Sequence, residues 1–266
     1  MTWILAGLMF LVALGFSILG QGGGALYTPI QVWFGIDFHI AATTSLFLIM
    51  TLSLSSSLVF RKAGKIDWAL ALVLESVTAV GGFLGGLGSQ WVSGAFLTYL
   101  FAGVLVVAAF FMIKTFDIKH DCDNSHKSPM TWKRSLHDQT FCVNMLVALP
   151  VSFMAGLVSG MVGVGGGILK VPMMVLLFGI PMDIAVGSSA FMVGVTAFGG
   201  FAGHAINGHW DWKISLILAV LVFIGGQLGS RVSVSLDKKK LKKGFGWFLV
   251  AVAALMIFKA VYANYA

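Results

Sequence analysis

The stretch GQGGG (residues 20–24), followed by Pro29, recurs in the second half of the chain as GVGGG (residues 163–167), followed by Pro172. Each glycine cluster ends a long apolar run and begins a short one. Glycine inside a helix costs about 1 kcal/mol per residue relative to alanine, and in lipid the freed amides also need partners. A glycine-rich break that occurs twice at such a place predicts a functional site.

The composition predicts an integral membrane protein. The 266 residues are 58% hydrophobic and 10% charged, and the mean hydropathy is +0.95, which lies outside the range of soluble domains. Apolar runs of about 20 residues recur without the short alternation of a membrane barrel, so the spanning elements are predicted to be helices. We therefore expect an all-α polytopic protein in the plasma membrane, which would be a bacterial inner membrane.

The net charge of +7 does not indicate nucleic acid. Most of the basic residues lie at the ends of apolar segments, where the positive-inside bias explains them. The basic run at residues 238–243 is interpreted as a cytoplasmic orientation signal that also suits anionic lipid headgroups. The two cysteines, Cys122 and Cys142, have no metal-ligand spacing. They are predicted to be free thiols in a reducing compartment, and no metal or cofactor is expected.

The apolar segments occur in the same order twice, on either side of a polar loop. This divides the chain into a first repeat (residues 1–113), a cytoplasmic polar linker (114–141) and a second repeat (142–266). The predicted segments are 2–19, 25–36, 40–60, 67–91 and 95–113 in the first repeat, and 142–162, 168–180, 184–206, 212–234 and 244–262 in the second.

The correspondence between the halves is literal, which predicts a fused duplication. Between the glycine cluster and the proline, each matched residue of the first half has its counterpart 143 positions later. After one inserted residue the distance becomes 144 positions, as for Ser45 with Ser189 and Gly81 with Gly225. The basic residues change place between copies: they follow the third segment in the first copy (61–65) and the fourth in the second (231–243). By the positive-inside rule the repeats are inverted, with the N- and C-termini outside.

The first two segments of each repeat are predicted to form a broken or re-entrant helix. Residues 25–36 span only about 18 Å at 1.5 Å per residue, too short to cross alone. Consecutive glycines at a helix start leave amide donors accessible beside the positive end of the helix dipole, which suits an anion. Inverted repeats bring such breaks together near the membrane midplane. The alternative is that the glycines only permit close helix packing.

The sequence resembles the TauE/SafE family of sulfite and organosulfonate exporters over nearly its whole length. The resemblance rests on the doubled Gly-x-Gly-Gly-Gly with its proline, the Asp-Trp that opens the fourth segment twice (from Asp67 and Asp211), and the central polar loop. It implies a permease for small sulfur-containing anions such as sulfite, sulfoacetate or taurine, driven by an ion gradient. The two half-sites differ: Gln21 matches Val164, and Tyr27 matches Lys170.

Two ionisable residues fall inside apolar segments. Lys170 lies in the first turn of a predicted half-helix, where neither the dipole nor lipid favours a cation. It either contacts the substrate, or reaches an aqueous cavity or a carboxylate for structural reasons. Glu75, the only glutamate, lies about 12 Å into its segment and matches Ala219. It either couples transport to protons or is a static partner of Lys170 or Arg61.

Hydroxyl side chains open the third segment of each repeat, where they either cap the helix or donate to an anion. Asp67 and Asp211 are predicted to be N-caps beside interfacial tryptophans. Glu75 is the candidate coupling residue. The candidate substrate-binding residues are Gln21, Gly22, Gly23, Gly24, Tyr27, Thr44, Ser45, Gly165, Gly166, Gly167, Lys170, Ser188 and Ser189.

These features predict a secondary transporter of small sulfur-containing anions that works by alternating access and is coupled to protons or another ion. The alternative is a passive anion channel, which would use the same donors. An enzyme is not expected, because the apolar segments contain no paired carboxylates or Ser/His constellation. The expected partners are the anionic substrate and the lipid bilayer, and the sequence leaves open whether the chain forms a homodimer.

Overall fold

The protein is built almost entirely of helices. The computed structural model describes residues 2–36, 38–88, 130–136, 139–162, 167–206 and 210–265, together with residues 103, 106, 109, 110 and 113. The helices are α1 (Thr2–Ile18), α2 (Gly24–Trp33), α3 (Phe38–Lys62), α4 (Trp68–Gly88), α5 (Met145–Val162), α6 (Gly167–Leu176), α7 (Met182–Ile206), α8 (Trp212–Ser235) and α9 (Lys238–Tyr265). Two strands, β1 (Thr131–Leu136) and β2 (Gln139–Asn144), precede α5.

Three of the described helices contain stretches long and apolar enough to cross a membrane: Thr43–Lys62, Met182–Gly199 and Trp212–Ser235. Shorter apolar stretches occur at Ile4–Ile18, Trp68–Leu84 and Met145–Val158. Many large apolar side chains on these helices are exposed, as expected for surfaces that face lipid rather than water. The prediction of an all-α polytopic membrane protein is confirmed.

The helices follow the predicted apolar segments within a few residues, except at the start of the second half. There the chain pairs β1 with β2 in an antiparallel hairpin, in which Thr131 is opposite Asn144 and Leu136 is opposite Gln139. The predicted segment 142–162 therefore begins as a strand and becomes helical only at Met145. Of the predicted segment 95–113, five residues are described, and most of the linker lies outside the described residues.

The hairpin contains Cys142, one of the two cysteines of the chain. Cys142 lies in β2 opposite Lys133 and is disulfide-bonded, so the prediction of a free thiol is wrong for this residue. A disulfide depends on how the fold brings two cysteines within bonding distance, and the spacing of cysteines along the sequence does not show this. Cys122 lies outside the described residues.

One compact unit consists of residues Met1–Leu72 and Val186–Ser235. Within it, α8 packs against both α1 and α3. Glycines permit the close approach: a Cβ atom at Gly225 would lie 2.9 Å from the carbonyl oxygen of Phe10. Helices α3 and α7 run antiparallel, because Phe47 stacks near Phe201 with ring centroids 5.6 Å apart and Lys65 borders Gly187 at the opposite end.

The other compact unit consists of residues Val73–Ala185 and Leu236–Ala266. Here α4 crosses α5 at Gly81 and Gly156, each of which lies against the backbone of the opposite helix. The hairpin and α6 pack beside α5. Gln139 of β2 donates a hydrogen bond to Asp183 at the start of α7 (3.3 Å).

The two units contain an equivalent helix crossing. Gly81 in α4 faces the carbonyl oxygen of Phe153 and the amide of Leu157, while Gly225 in α8 faces the same atoms of Phe10 and Leu14. These residues match at the offsets of 143 and 144 found in the sequence. Each unit therefore packs the fourth helix of one sequence half against the first helix of the other. The inverted membrane orientation of the halves stays a prediction.

Candidate functional site

The first glycine cluster forms a non-helical break between α1 and α2. Helix α1 ends at Ile18, and Gly20 closes it with φ = 68°, so that the amide of Gln21 donates to the carbonyl oxygen of Phe16 (2.9 Å). Gly23 also has a positive φ, 72°, a conformation that side-chain-bearing residues rarely adopt. Helix α2 then begins at Gly24. The amides of Leu26 and Tyr27 donate to the carbonyl oxygen of Gly23 (3.1 and 3.2 Å), whereas those of Gly24 and Ala25 precede the first helical hydrogen bonds.

This break lies against one face of α7. A Cβ atom at Gly20 would collide with Val186, and one at Gly22 would lie 2.5 Å from Val193. Ser189 is three residues after Val186 and four before Val193, so it occupies the same face of α7. The structure thus places Ser189 beside the bare backbone of residues 20–22, and only glycine permits so close an approach.

Three buried polar side chains around the break make no hydrogen bond within the described part of the chain. They are the amide of Gln21, whose residue is 3% exposed, and the hydroxyls of Tyr27 and Ser189. The Tyr27 ring lies over the break, since a Cβ atom at Gly23 would be 3.0 Å from its phenol oxygen. A buried polar group without a partner costs about 1–3 kcal/mol, so such groups usually serve a ligand or water.

Gln31 supports the same region and was missed from the sequence. Its Nε2 donates to the hydroxyl of Ser45 (2.8 Å) and to the carbonyl oxygen of Tyr27 (3.1 Å). Its Oε1 has no hydrogen-bond partner among the described residues. The one available signal was an amide inside the short apolar helix α2. Gln31 therefore ties α2 to α3 and fixes the turn of α2 that carries Tyr27.

The other hydroxyl candidates of this unit lie at helix starts. The hydroxyls of Thr44 and Ser215 are 3.2 Å apart, which joins α3 to the start of α8. Ser188 accepts a hydrogen bond from the amide of Asp67 (3.1 Å), before the start of α4. Thr44 and Ser188 therefore have structural partners, whereas the neighbouring Ser189 has none within the described residues.

The predicted N-caps are confirmed. The carboxylate of Asp67 accepts from the amide of Leu70 (3.1 Å), and that of Asp211 accepts from the amides of Lys213 (3.0 Å) and Ile214 (3.2 Å). Both acidic residues are thereby explained by helix initiation. In the described residues no three His, Cys, Asp or Glu side chains come together as metal ligands would.

The second glycine cluster precedes α6, which begins at Gly167. Residues 163–166, including the candidates Gly165 and Gly166, lie outside the described residues. Lys170, in the first turn of α6, forms an ion pair with Glu75 of α4, in which Nζ and Oε2 are 2.6 Å apart. The side chains are 1% and 4% exposed, respectively. The two ions singled out in the sequence are therefore partners.

Comparison with known proteins matches nearly the whole of the sequence. The family model described as sulfite exporter TauE/SafE matches residues 5–256. The probable membrane transporter protein YunE of Bacillus subtilis is 26% identical over 261 residues, which cover 93% of this chain and 94% of that protein. A probable membrane transporter protein of Xylella fastidiosa (strain Temecula1) is 27% identical, with coverage of 94% and 92%. No solved structure shows a significant match.

Proposed function

The chain belongs to the sulfite exporter TauE/SafE family of membrane transporters, and from this premise we propose that it is a secondary transporter of small sulfur-containing anions. The substrates would be of the sulfite and organosulfonate class, and alternating access would move them across the plasma membrane. The observation that carries this proposal is the group of three buried polar side chains at the break between α1 and α2 that have no hydrogen-bond partner among the described residues. We call these residues, Gln21, Tyr27 and Ser189, the break triad.

The break triad suits a sulfur oxyanion because it offers several hydrogen-bond donors and contains no negative charge. The amide nitrogen of Gln21 and the hydroxyls of Tyr27 and Ser189 are all donors, and the amides at the start of α2 add more, with the positive end of the helix dipole. A sulfonate presents three acceptor oxygens to such a set. Neither α1 nor α2 contains a lysine, arginine, aspartate or glutamate, so this half-site would bind its ligand with neutral donors.

We propose the second glycine cluster, residues 165–167, with Lys170 as a separate half-site of the other unit. Its support is the sequence duplication, which matches Gly22–Gly24 with Gly165–Gly167 and Tyr27 with Lys170. Thr44, Ser45 and Ser188 are kept as supporting residues, because their hydroxyls already contact Ser215, Gln31 and Asp67.

The test separates a binding role of the break triad from a structural one. Tyr27→Phe and Ser189→Ala each remove one unpaired hydroxyl, so the ligand-free protein should be as stable as the wild type or slightly more so. The stabilisation by sulfite or 2-hydroxyethanesulfonate, measured as the thermal midpoint in detergent, should fall. Loss of one hydrogen bond to an anion, about 1.5–3 kcal/mol, weakens binding by about tenfold to a hundredfold.

Ser55→Ala is the matched control, since the Ser55 hydroxyl donates to the carbonyl oxygen of Phe223 (2.6 Å). This variant should lose stability and keep its ligand response. The opposite pattern, in which the triad variants unfold earlier but bind normally, would make the triad structural. Counterflow in proteoliposomes distinguishes the alternative function: a carrier transiently accumulates labelled anion against unlabelled internal anion, and a passive channel does not.

A further inference from the structure

The ion pair between Lys170 and Glu75 occupies a position where neither charge is stable alone. Lys170 is the fourth residue of α6, close to the positive end of the helix dipole, which disfavours a cation. Glu75 lies inside α4, and its residue is 3% exposed. Leaving one member of such a pair buried without the other is strongly destabilising. Any event that separates the two side chains must therefore give each of them a new partner.

The three described helices α4, α5 and α6 contain no ionisable side chain besides Lys170 and Glu75. At the duplicate positions in the sequence stand Tyr27 and Ala219, which form no such pair. The duplication therefore does not repeat this ion pair, and an anion from solution is one partner that could take the place of Glu75 beside Lys170.

We propose that Glu75 is the proton-binding site of the transport cycle and that the transported anion competes with Glu75 for Lys170. This inference rests on the proposed transport function. In the empty state Lys170 is neutralised by the Glu75 carboxylate. When an anion takes the place of that carboxylate beside Lys170, Glu75 binds one proton and becomes neutral. One anion and one proton then cross together, and both are released when the ion pair forms again.

The charge balance of this cycle selects the substrate. In the empty state the pair has no net charge, and with a singly charged anion and a proton bound it again has none. Both states can therefore reorient without moving charge through the membrane field. A doubly charged anion would instead give the loaded pair one net negative charge, which is costly in the membrane interior. The ion pair thus favours singly charged anions, such as sulfonates and hydrogen sulfite, over sulfate.

The test uses the full chain in proteoliposomes and labelled 2-hydroxyethanesulfonate, whose sulfonate has no proton to exchange near neutral pH. In the wild type, a pH gradient with the acidic side outside should drive accumulation inside. A potassium diffusion potential imposed with valinomycin at equal pH should not. Uptake driven by the potential, or unaffected by the pH gradient, would overturn the inference. This arm needs no variant and so does not depend on the folding of one.

The variant arm assigns the proton to Glu75. Glu75→Gln keeps the size of the side chain and fixes it in a neutral form, so exchange of labelled for unlabelled sulfonate should remain, while accumulation driven by the pH gradient is lost. Ser76→Ala is the matched control, because Ser76 is the next residue on α4, and its hydroxyl is exposed and donates to the carbonyl oxygen of Val73 within the same helix (2.8 Å). Its coupling should equal that of the wild type.

The two proposals fail in different ways. If Glu75→Gln still accumulates sulfonate under a pH gradient, the proton site is elsewhere and the coupling inference is wrong. If the wild type exchanges sulfonate but ignores the pH gradient, transport stands without proton coupling. If the wild type exchanges neither 2-hydroxyethanesulfonate, methanesulfonate nor sulfite, the proposed transport function fails and the coupling inference with it.

Discussion

Lys170 and Glu75 are each unfavourable alone at their buried positions, and their contact with each other stabilises both. A buried lysine near the start of a helix opposes the helix dipole, and a glutamate inside an apolar helix opposes the membrane. Their side chains meet at 2.6 Å, so each removes the penalty of the other. Apolar replacements of a buried ion pair are nonetheless often as stable as the pair itself. A pair that adds little net stability is retained more readily if it has a function.

The ion pair gives a prediction about stability. Lys170→Met leaves Glu75 buried without its cation and should destabilise the protein by about 3–5 kcal/mol. The double variant Lys170→Met/Glu75→Leu removes both charges and should recover most of that loss. The thermal midpoint in detergent, followed by intrinsic tryptophan fluorescence, measures both. At roughly 2–4 °C per kcal/mol, the single variant should melt about 10 °C earlier.

Lys213→Met is the control for loss of a lysine, because Lys213 is exposed, and its midpoint should not change. Equal midpoints for the single and double variants would show that the two charges do not depend on each other. Transport would fail in both, since both lack the proposed anion partner. Stability therefore reports on the ion pair separately from function.

At the level of residues, the sequence predicted which side chains matter better than it predicted their partners. Lys170 and Glu75 stood out because ionisable groups are rare in apolar segments, but 95 residues separate them, and only the packing of α4 and α6 joins them. Gln31 gave a weaker signal, since it is an uncharged amide inside the short apolar helix α2. Ser189 differed from Ser188 only in its position on the helix, which decides that one faces the break and the other faces Asp67.

Among the elements, the breaks were the most predictable feature, because glycine clusters and half-length apolar runs act through local backbone energetics. The first break falls between Ile18 and Gly24, as the sequence predicted. The hairpin before α5 was not predicted, since its residues were grouped with a polar loop and an apolar helix. Strand pairing depends on a partner at the other side of the turn, whereas the helical pattern is read within one segment.

The helix crossings at glycine give a prediction for single elements. A Cβ atom at Gly81 would collide with the backbone carbonyl oxygen of Phe153, which cannot move like a flexible side chain. We expect Gly81→Ala to force α4 and α5 apart and to cost about 1–3 kcal/mol through overpacking. Gly225→Ala should be milder, because its nearest backbone atom, the Phe10 oxygen, would be 2.9 Å away.

Gly15→Ala is the control for glycine replacement inside a helix. A Cβ atom at Gly15 in α1 meets nothing within 4 Å, so this change should stabilise the protein by up to about 1 kcal/mol through helix propensity. The thermal midpoints should therefore rank Gly15→Ala, wild type, Gly225→Ala and Gly81→Ala in falling order. A rise in stability for Gly81→Ala would mean that the crossing has room to spare.

On the scale of the whole molecule, each half of the duplicated sequence packs its fourth helix against the first helix of the other half. In one unit α8 of the second half packs on α1 of the first, and in the other unit α4 of the first half packs on α5 of the second. Each of these crossings is formed by one helix from each half, so each half depends on the other for its packing. This explains why compactness does not follow the sequence boundary at residues 113 and 142, although the repeat itself was visible in the sequence.

The orientation of the whole molecule in the membrane can be tested through Cys142 without introducing a residue. The basic stretches at 61–65 and 231–243 predict that the linker before Cys142 is cytoplasmic, yet Cys142 is disulfide-bonded, and cytoplasmic disulfides are usually kept reduced. Because Cys142 is disulfide-bonded in the folded protein, we expect this disulfide to be present in cells as well. Cells precipitated in acid and then alkylated with N-ethylmaleimide in denaturant at neutral pH should therefore yield the disulfide of Cys142 by mass spectrometry. Alkylated Cys142 from these cells would contradict this expectation and support the orientation predicted from the basic stretches. Protein purified and then reduced is the control for access to the thiol. A disulfide already present in quenched cells would place the linker on the oxidising side and reverse the predicted positions of both termini.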